Sequence, residues 1–362
     1  MPETVLYRKY RPKSFGDVVG QTHVISTLIR SLADGRVGSA YIFSGSRGTG
    51  KTTIARLLAV AVNFGDGNTS DEARDFLAGR SLDLLELDAA SNRGIDDIRE
   101  LRDAVRFAPA RAKRKVYILD EAHMLTTPAW NALLKTLEEP PPHAMFILCT
   151  TELEKIPDTI RSRCEEFAFE RLPLPLIQKE IERVAKEEKS ALDADASRLL
   201  ALLAEGSLRD ALSLLGQTIS AGGKKIKGDT VTTLFGLPPQ EEVTKLVEAA
   251  LFGDAKRAFS LIAELVTRGI EARMMTKLMI EDARYALLLV IDPVFERTVL
   301  HEMSEEHMAA LKKFGLDVGA ARIEEVLRAL LEAHHSPYTT VIPHLPLELA
   351  FVKIMKTPNP QP

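Results

Sequence analysis

Residues 45–52 read GSRGTGKT, which matches G-x-x-x-x-G-K-[ST] at Gly45, Gly50, Lys51 and Thr52, with a further glycine, Gly48, between them. Gly45, Gly48 and Gly50 let the backbone curl so that successive N–H groups face phosphate oxygens. Ser46, Arg47 and Thr49 complete the loop, and Thr52 and Thr53 open the apolar helix TTIARLLAVAV, whose N-terminus adds partial positive charge. Lys51 is placed to reach β- and γ-phosphates, and the Thr52 hydroxyl to meet Mg²⁺.

A second constellation lies in VYILDEAHML, residues 116–125. Four apolar residues run into Asp120, which can hold Mg²⁺, and Glu121, which can polarise the water that attacks a γ-phosphate. Nucleotide binding alone needs no second carboxylate, so the pair points to ATP hydrolysis. Asp120 to His123 also spell the DEAH box of helicases, but a helicase needs a second nucleotide-fold domain, and no second set of strands follows residue 172. Thr151 closes the apolar run AMFILCTT, where a hydroxyl could position the attacking water. Arg163, in SRC, lies far beyond that run: either it meets nucleotide held by a neighbouring subunit, or it forms a plain surface salt bridge.

These residues need an α/β scaffold. Candidate strands are 40–45, 83–89, 115–120 and 144–151, nearly continuous apolar runs of the kind parallel strands show when helices cover both faces. Trp130, Leu133, Leu134 and Leu137 recur at helical spacing, and the prolines at 140–142 stop that helix. After LPLPL (172–176) helical patterns take over, with a Gly/Lys-rich connector at 221–228. Val243, Leu246, Val247 and Ala250 form one apolar stripe, and Ile323, Val326, Leu327, Leu330 and Leu331 another. The expectation is three domains, an α/β one at 1–172 and all-helical ones at 173–228 and 229–362, the last a candidate assembly surface.

Composition narrows the class. The chain has 362 residues, a net charge of −4 and two cysteines, Cys149 and Cys164. That excludes a disulfide scaffold and a four-cysteine zinc site, and fits a reducing cytoplasm. No run approaches the roughly 20 apolar residues of a membrane span, and no export signal is evident. Without an overall positive field, nucleic acid would have to meet local basic clusters such as YRKYRPK (7–13) or RAKRK (111–115), which otherwise read as solvated loops.

The ordered set LYRKYRPKSFGDVVGQ, GSRGTGKTT, LELDAASNRGIDDIRELRD, VYILDEAHMLTTPAWNALLKTLEEPP, CTTELEKIPDTIRSRC and GSLRDALSLLGQ resembles the gamma/tau subunits of the bacterial DNA polymerase III clamp loader. The likeness is strong over residues 6 to about 220. It implies an AAA+ P-loop domain with a parallel sheet, a small helical lid and an all-α C-terminal collar. Arg8, Arg11, Pro12 and Val19 would line the adenine pocket; Thr151 would be a first sensor, Arg163 an arginine finger acting in trans, and Arg209 a second sensor. From spacing alone, Arg209 reads equally as a helix salt bridge.

The implied function is ATP-driven loading of a sliding clamp onto primed DNA during replication, within the polymerase holoenzyme but with no polymerase site of its own. Implied partners are delta- and delta-prime-type subunits, further copies of this chain, the clamp, and primer–template DNA contacted at phosphates. SNRGIDDIR (91–99) is the candidate DNA-facing stretch, with Asn92 and Arg93 foremost; as a plain structural feature it is a helix capped by Asn92 or Ser91. The family usually carries a four-cysteine zinc module where this chain has 63–81, a segment with neither cysteine nor histidine. No zinc is expected there, but a short helix packed by Phe76 and Leu77. Competing readings are a loader subunit that binds ATP only structurally, and an AAA+ branch-migration motor, which would be expected to end in a winged-helix domain.

Overall fold

The computed structural model describes residues 5–92, 94–292, 294–295, 303–336 and 341–356. The chain forms two compact bodies, one of residues 1–180 and 203–216, the other of 181–202 and 217–362. Arg93 and the tail 357–362 lie outside the described residues.

The first body is built on five parallel strands: β1 (Ala40–Gly45), β2 (Leu84–Asp88), β3 (Lys115–Asp120), β4 (Ala144–Thr150) and β5 (Glu165–Phe169), ordered β2-β3-β4-β1-β5. The four expected strands are present, β1 and β3 with the expected bounds. β5 was not read from the sequence. Its residues EEFAF open with two charged side chains and leave no apolar run to read; among the described residues it pairs with β1 alone, at an edge of the sheet. β4 is buried throughout, and the two-residue period divides it cleanly. Met145, Ile147 and Cys149 face one apolar cluster, Phe146 and Leu148 the other.

Helices cover both faces in this body: α1 (Leu6–Lys9), α2 (Thr22–Ala33), α3 (Lys51–Phe64), α4 (Asp71–Leu77), α5 (Ile95–Val105), α6 (Thr127–Glu138) and α7 (Asp158–Arg161). α2, α3 and α4 bury Val24, Leu28, Ile54, Leu58 and Phe76 on one side. α5 and α6 bury Ile98, Leu101, Trp130 and Leu133 on the other. α4 is the short helix expected within 63–81. Ser70 caps it by accepting the Ala73 N–H at 3.2 Å, Phe76 stacks edge-on to Phe64 with centroids 5.1 Å apart, and Leu77 is half-buried. α5 departs from expectation at its start. Gly94 is its cap, and the Asp97 carboxylate accepts the Gly94 N–H at 3.1 Å. Ser91 and Asn92 instead fold onto Asp88, the Asn92 side chain donating to the Asp88 carbonyl at 3.1 Å. The basic stretch 111–115 is tied from beneath. Asp83 accepts the N–H groups of Ala110, Arg111 and Ala112 at 2.7–2.9 Å, and Asn63 accepts that of Arg114 at 2.7 Å.

Further helices are α8 (Leu174–Glu187), α9 (Ala194–Leu203), α10 (Leu208–Gly222), α11 (Gly228–Phe235), α12 (Gln240–Phe252), α13 (Ala255–Thr267), α14 (Ala272–Ile291), α15 (Glu305–His335, kinked at Gly319) and α16 (Leu345–Lys356). The sequence reading placed no strands here, yet Ala191–Leu192 and Lys225–Ile226 pair as a short parallel ladder, the latter inside the expected connector. Val243, Leu246, Val247 and Ala250 are buried as one stripe. Of the later stripe, Ile323, Val326 and Leu330 are buried, whereas Leu331 is exposed.

Candidate active site

The loop between β1 and α3 leaves the sheet where its neighbours β4 and β5 diverge in chain order, at the C-terminal strand ends where open α/β sheets bind ligands. Gly45, Gly48 and Gly50 all have positive φ, 139°, 77° and 103°. At Gly48 a second constraint applies, because an added Cβ would lie 1.8 Å from the Ser207 hydroxyl. Lys51, first residue of α3, turns back over the loop and donates to the carbonyls of Gly45 (2.7 Å) and Ser46 (2.8 Å). Burial lowers its pKa below the ordinary lysine value, against the opposing pull of Glu121 and Asp120.

β3 delivers the acids. The Thr52 hydroxyl donates to the Asp120 carboxylate at 2.9 Å, whose other oxygen accepts the Glu121 N–H at 3.0 Å. Glu121 sits in the left-handed region at φ 48°, a conformation uncommon outside glycine and frequent at functional sites. The Thr151 hydroxyl, one residue beyond β4, donates to the Glu121 carboxylate at 3.3 Å.

A cleft of about 480 Å³ opens over the loop. Arg11, Pro12, Val19, Arg47 to Thr53, Asp120, Glu121 and Arg209 line it, joined by Tyr7, Tyr10, Val18 and Leu212, which the sequence reading did not name. The Arg209 guanidinium lies 4.8 Å from the Tyr7 ring centroid. Hydrogen bonds from Arg209 and then Arg8 pull the Tyr7 phenol below its ordinary pKa. Gly45, Ser46, Thr151, Arg8 and Arg163 are not among the lining residues. Arg8 lies over Tyr7, 5.7 Å from the ring centroid. Arg163 pairs with Glu138 at 2.7 Å and donates to the Ser162 hydroxyl at 3.1 Å. Two struts also escaped sequence reading because their partners are far away in the chain. Gln21 bonds the Glu170 backbone at both ends of its amide (2.7 and 3.1 Å), and Arg171 donates to the Ser46 hydroxyl at 3.3 Å.

Comparison with known proteins bears on this arrangement. Family models match at residues 20–173 (DNA polymerase III, delta subunit), 176–224 (DNA polymerase III clamp loader subunit, ATPase lid domain) and 226–362 (DNA polymerase III subunits gamma and tau domain III). DNA polymerase III subunit gamma of Buchnera aphidicola subsp. Acyrthosiphon pisum (strain APS) is 39% identical over 273 residues, 74% of this chain and 76% of that protein. The chain belongs to the gamma/tau family of DNA polymerase III clamp-loader subunits. DNA polymerase III subunit tau of Escherichia coli (strain K12) is 46% identical over 277 residues, 75% of this chain. The matched region is 43% of that relative, so this gamma/tau chain spans less than half of its length. Among solved structures, the Thermotoga maritima RuvB Holliday junction branch migration motor aligns with a TM-score of 0.50 and 19% identity, over 66% of this chain and 78% of that one. That likeness is one of fold.

Proposed function

We propose that this chain hydrolyses ATP and, within an assembly of clamp-loader subunits, uses it to place a ring-shaped clamp on primed DNA. The reading is carried by one convergence: a glycine loop with its lysine and threonine, and an Asp–Glu pair whose first carboxylate touches that threonine and whose second accepts from Thr151. Loops that only bind nucleotide do not need Glu121.

ATP is the substrate. Phosphate oxygens entering the loop would take over the hydrogen bonds that Lys51 now makes to Gly45 and Ser46. Thr52 and Asp120, a hydroxyl and a carboxylate in contact, are hard oxygen donors suited to Mg²⁺. The ion would neutralise charge building on the phosphates. Glu121, oriented by Thr151, is the group that would hold and polarise the attacking water. Tyr7, Tyr10, Arg11, Pro12 and Val19 offer the flat apolar and cationic surface a purine needs. Arg209 would leave the Tyr7 ring for the phosphates, and Arg163 would exchange Glu138 for nucleotide on a neighbouring subunit. The family models support a division into AAA+, lid and collar domains near 173 and 228. Delta- and delta-prime-type subunits, further copies of this chain, the clamp and primer–template DNA are the partners this reading requires.

The test is steady-state hydrolysis by the chain and its Glu121→Gln variant, with Mg²⁺ and with chelator. Hydrolysis that needs Mg²⁺ and falls at least about 100-fold in the variant supports the reading. ATP binding with equal turnover in both proteins would instead make this a structural, nucleotide-holding subunit.

A further inference from the structure

We infer that His123 is a positioning residue for Glu121, tying that carboxylate to the segment from Glu152 to Arg163. The inference rests on the ATPase reading above. The ring of His123 is 7% exposed and stands between two carboxylates. Its Nδ1 lies 3.6 Å from Glu121 Oε2, and its Nε2 lies 3.2 Å from Glu152 Oε1. A carboxylate only accepts, so Nε2, within hydrogen-bond distance of Glu152, bears the proton, while Nδ1 is beyond that distance from Glu121 and is free to accept from a hydroxyl. Nδ1 meets the Thr150 hydroxyl at 3.1 Å, and that oxygen also accepts the Glu152 backbone N–H at 3.0 Å. Glu152 therefore reaches the imidazole twice, directly and through Thr150.

The Glu121 backbone is fixed by its left-handed conformation and by its N–H bond to Asp120, so the carboxylate moves only by side-chain rotation. Two groups bound the same oxygen, Oε2: the Thr151 hydroxyl at 3.3 Å and the edge of the His123 ring at 3.6 Å. A turn of that ring shifts the carboxylate that must hold the water. Glu152 is itself pinned to Lys155 at 2.7 Å, at the head of the stretch that runs through α7 to Arg163. Displacement of this stretch, as when Arg163 leaves Glu138, is thereby transmitted to Glu121 of the same chain.

Single-turnover ATP hydrolysis and ATP affinity, measured on His123→Ala, His123→Asn, Glu152→Gln and the His123→Ala/Glu152→Gln pair, test this. An ångström of misplacement costs on the order of 100-fold in rate. His123→Ala should therefore slow the chemical step about 10- to 100-fold while ATP affinity stays within about two-fold. His123→Asn, whose amide can stand in for Nδ1, should recover most of the rate. The double variant should be no slower than His123→Ala, because both residues act through one contact. A wild-type rate in His123→Ala, a loss confined to ATP affinity, or no recovery with asparagine overturns the inference and leaves the ATPase reading standing. A wild-type chain no faster than Glu121→Gln removes both.

Discussion

Gly48 separates packing from chemistry at the scale of one residue. Its positive φ and the Ser207 hydroxyl, 1.8 Å from any added Cβ, leave no room for alanine. Gly48→Ala should lower stability by about 1–3 kcal/mol and weaken ATP binding, and Ser207→Gly in the same chain should return part of the stability. Thermal unfolding of the three proteins checks this, and an unchanged midpoint in Gly48→Ala would contradict the loop geometry. Asp83 makes a pH prediction. Burial acts to raise its pKa, but the N–H groups of Ala110, Ala112 and Arg111 outweigh burial and lower it. A depressed carboxylate contributes stability that is complete above its unfolded value of about 4 and is lost as pH falls through the lower folded value. Asp83→Asn should thus cost about 2 kcal/mol at pH 7, with the gap to wild type closing below about pH 4. A gap that stays constant with pH would show that the charge contributes nothing. The loop glycines, Lys51, Asp120 and Glu121 were legible in the sequence because each function sits within a few residues of the next. Gln21, Arg171, Tyr7 and the tie of His123 to Thr150 were not, since Glu170, Ser46, Arg209 and Thr150 lie far from them in the chain.

Elements were readable in proportion to how unbroken their apolar runs are: β2, an edge strand, keeps Leu84, Leu85 and Leu87 and was read as well. β1, β3 and β4 are interior and nearly unbroken in apolar residues, and the sequence marks them plainly. β5 opens with Glu165 and Glu166 and offers no apolar run, so periodicity could not mark it. The start of α5 misled for another reason: Ser91 and Asn92 are good caps, but the turn on Asp88 uses both, and the helix begins after Gly94. α4 stands on a core residue. Phe76, 2% exposed, packs on Phe64 and should cost about 3–5 kcal/mol when replaced by alanine. Prolonged chelation should leave the wild-type unfolding midpoint unchanged; a fall would reveal a structural metal that 63–81 has no cysteine or histidine to hold.

At the scale of the whole molecule, the second body holds a buried polar core that no local pattern announces. Arg198 donates to the Gln240 side chain at 2.7 Å, Gln240 donates to Asp282 at 2.9 Å, and His307 Nε2 lies 3.0 Å from the same Asp282 oxygen. Four helices, α9, α12, α14 and α15, meet there. Asp282→Ala strands the buried Arg198 charge and should cost about 3–5 kcal/mol, read from the urea transition. The proposed clamp loading couples ATP turnover to assembly. Its most direct test is ATP hydrolysis by this subunit joined to delta- and delta-prime-type partners, with and without primed DNA and clamp, at fixed salt because phosphate contacts weaken as salt rises. Strong stimulation is expected, needing both DNA and clamp and abolished by Arg163→Ala. Turnover indifferent to the clamp, or accompanied by strand separation, would contradict it.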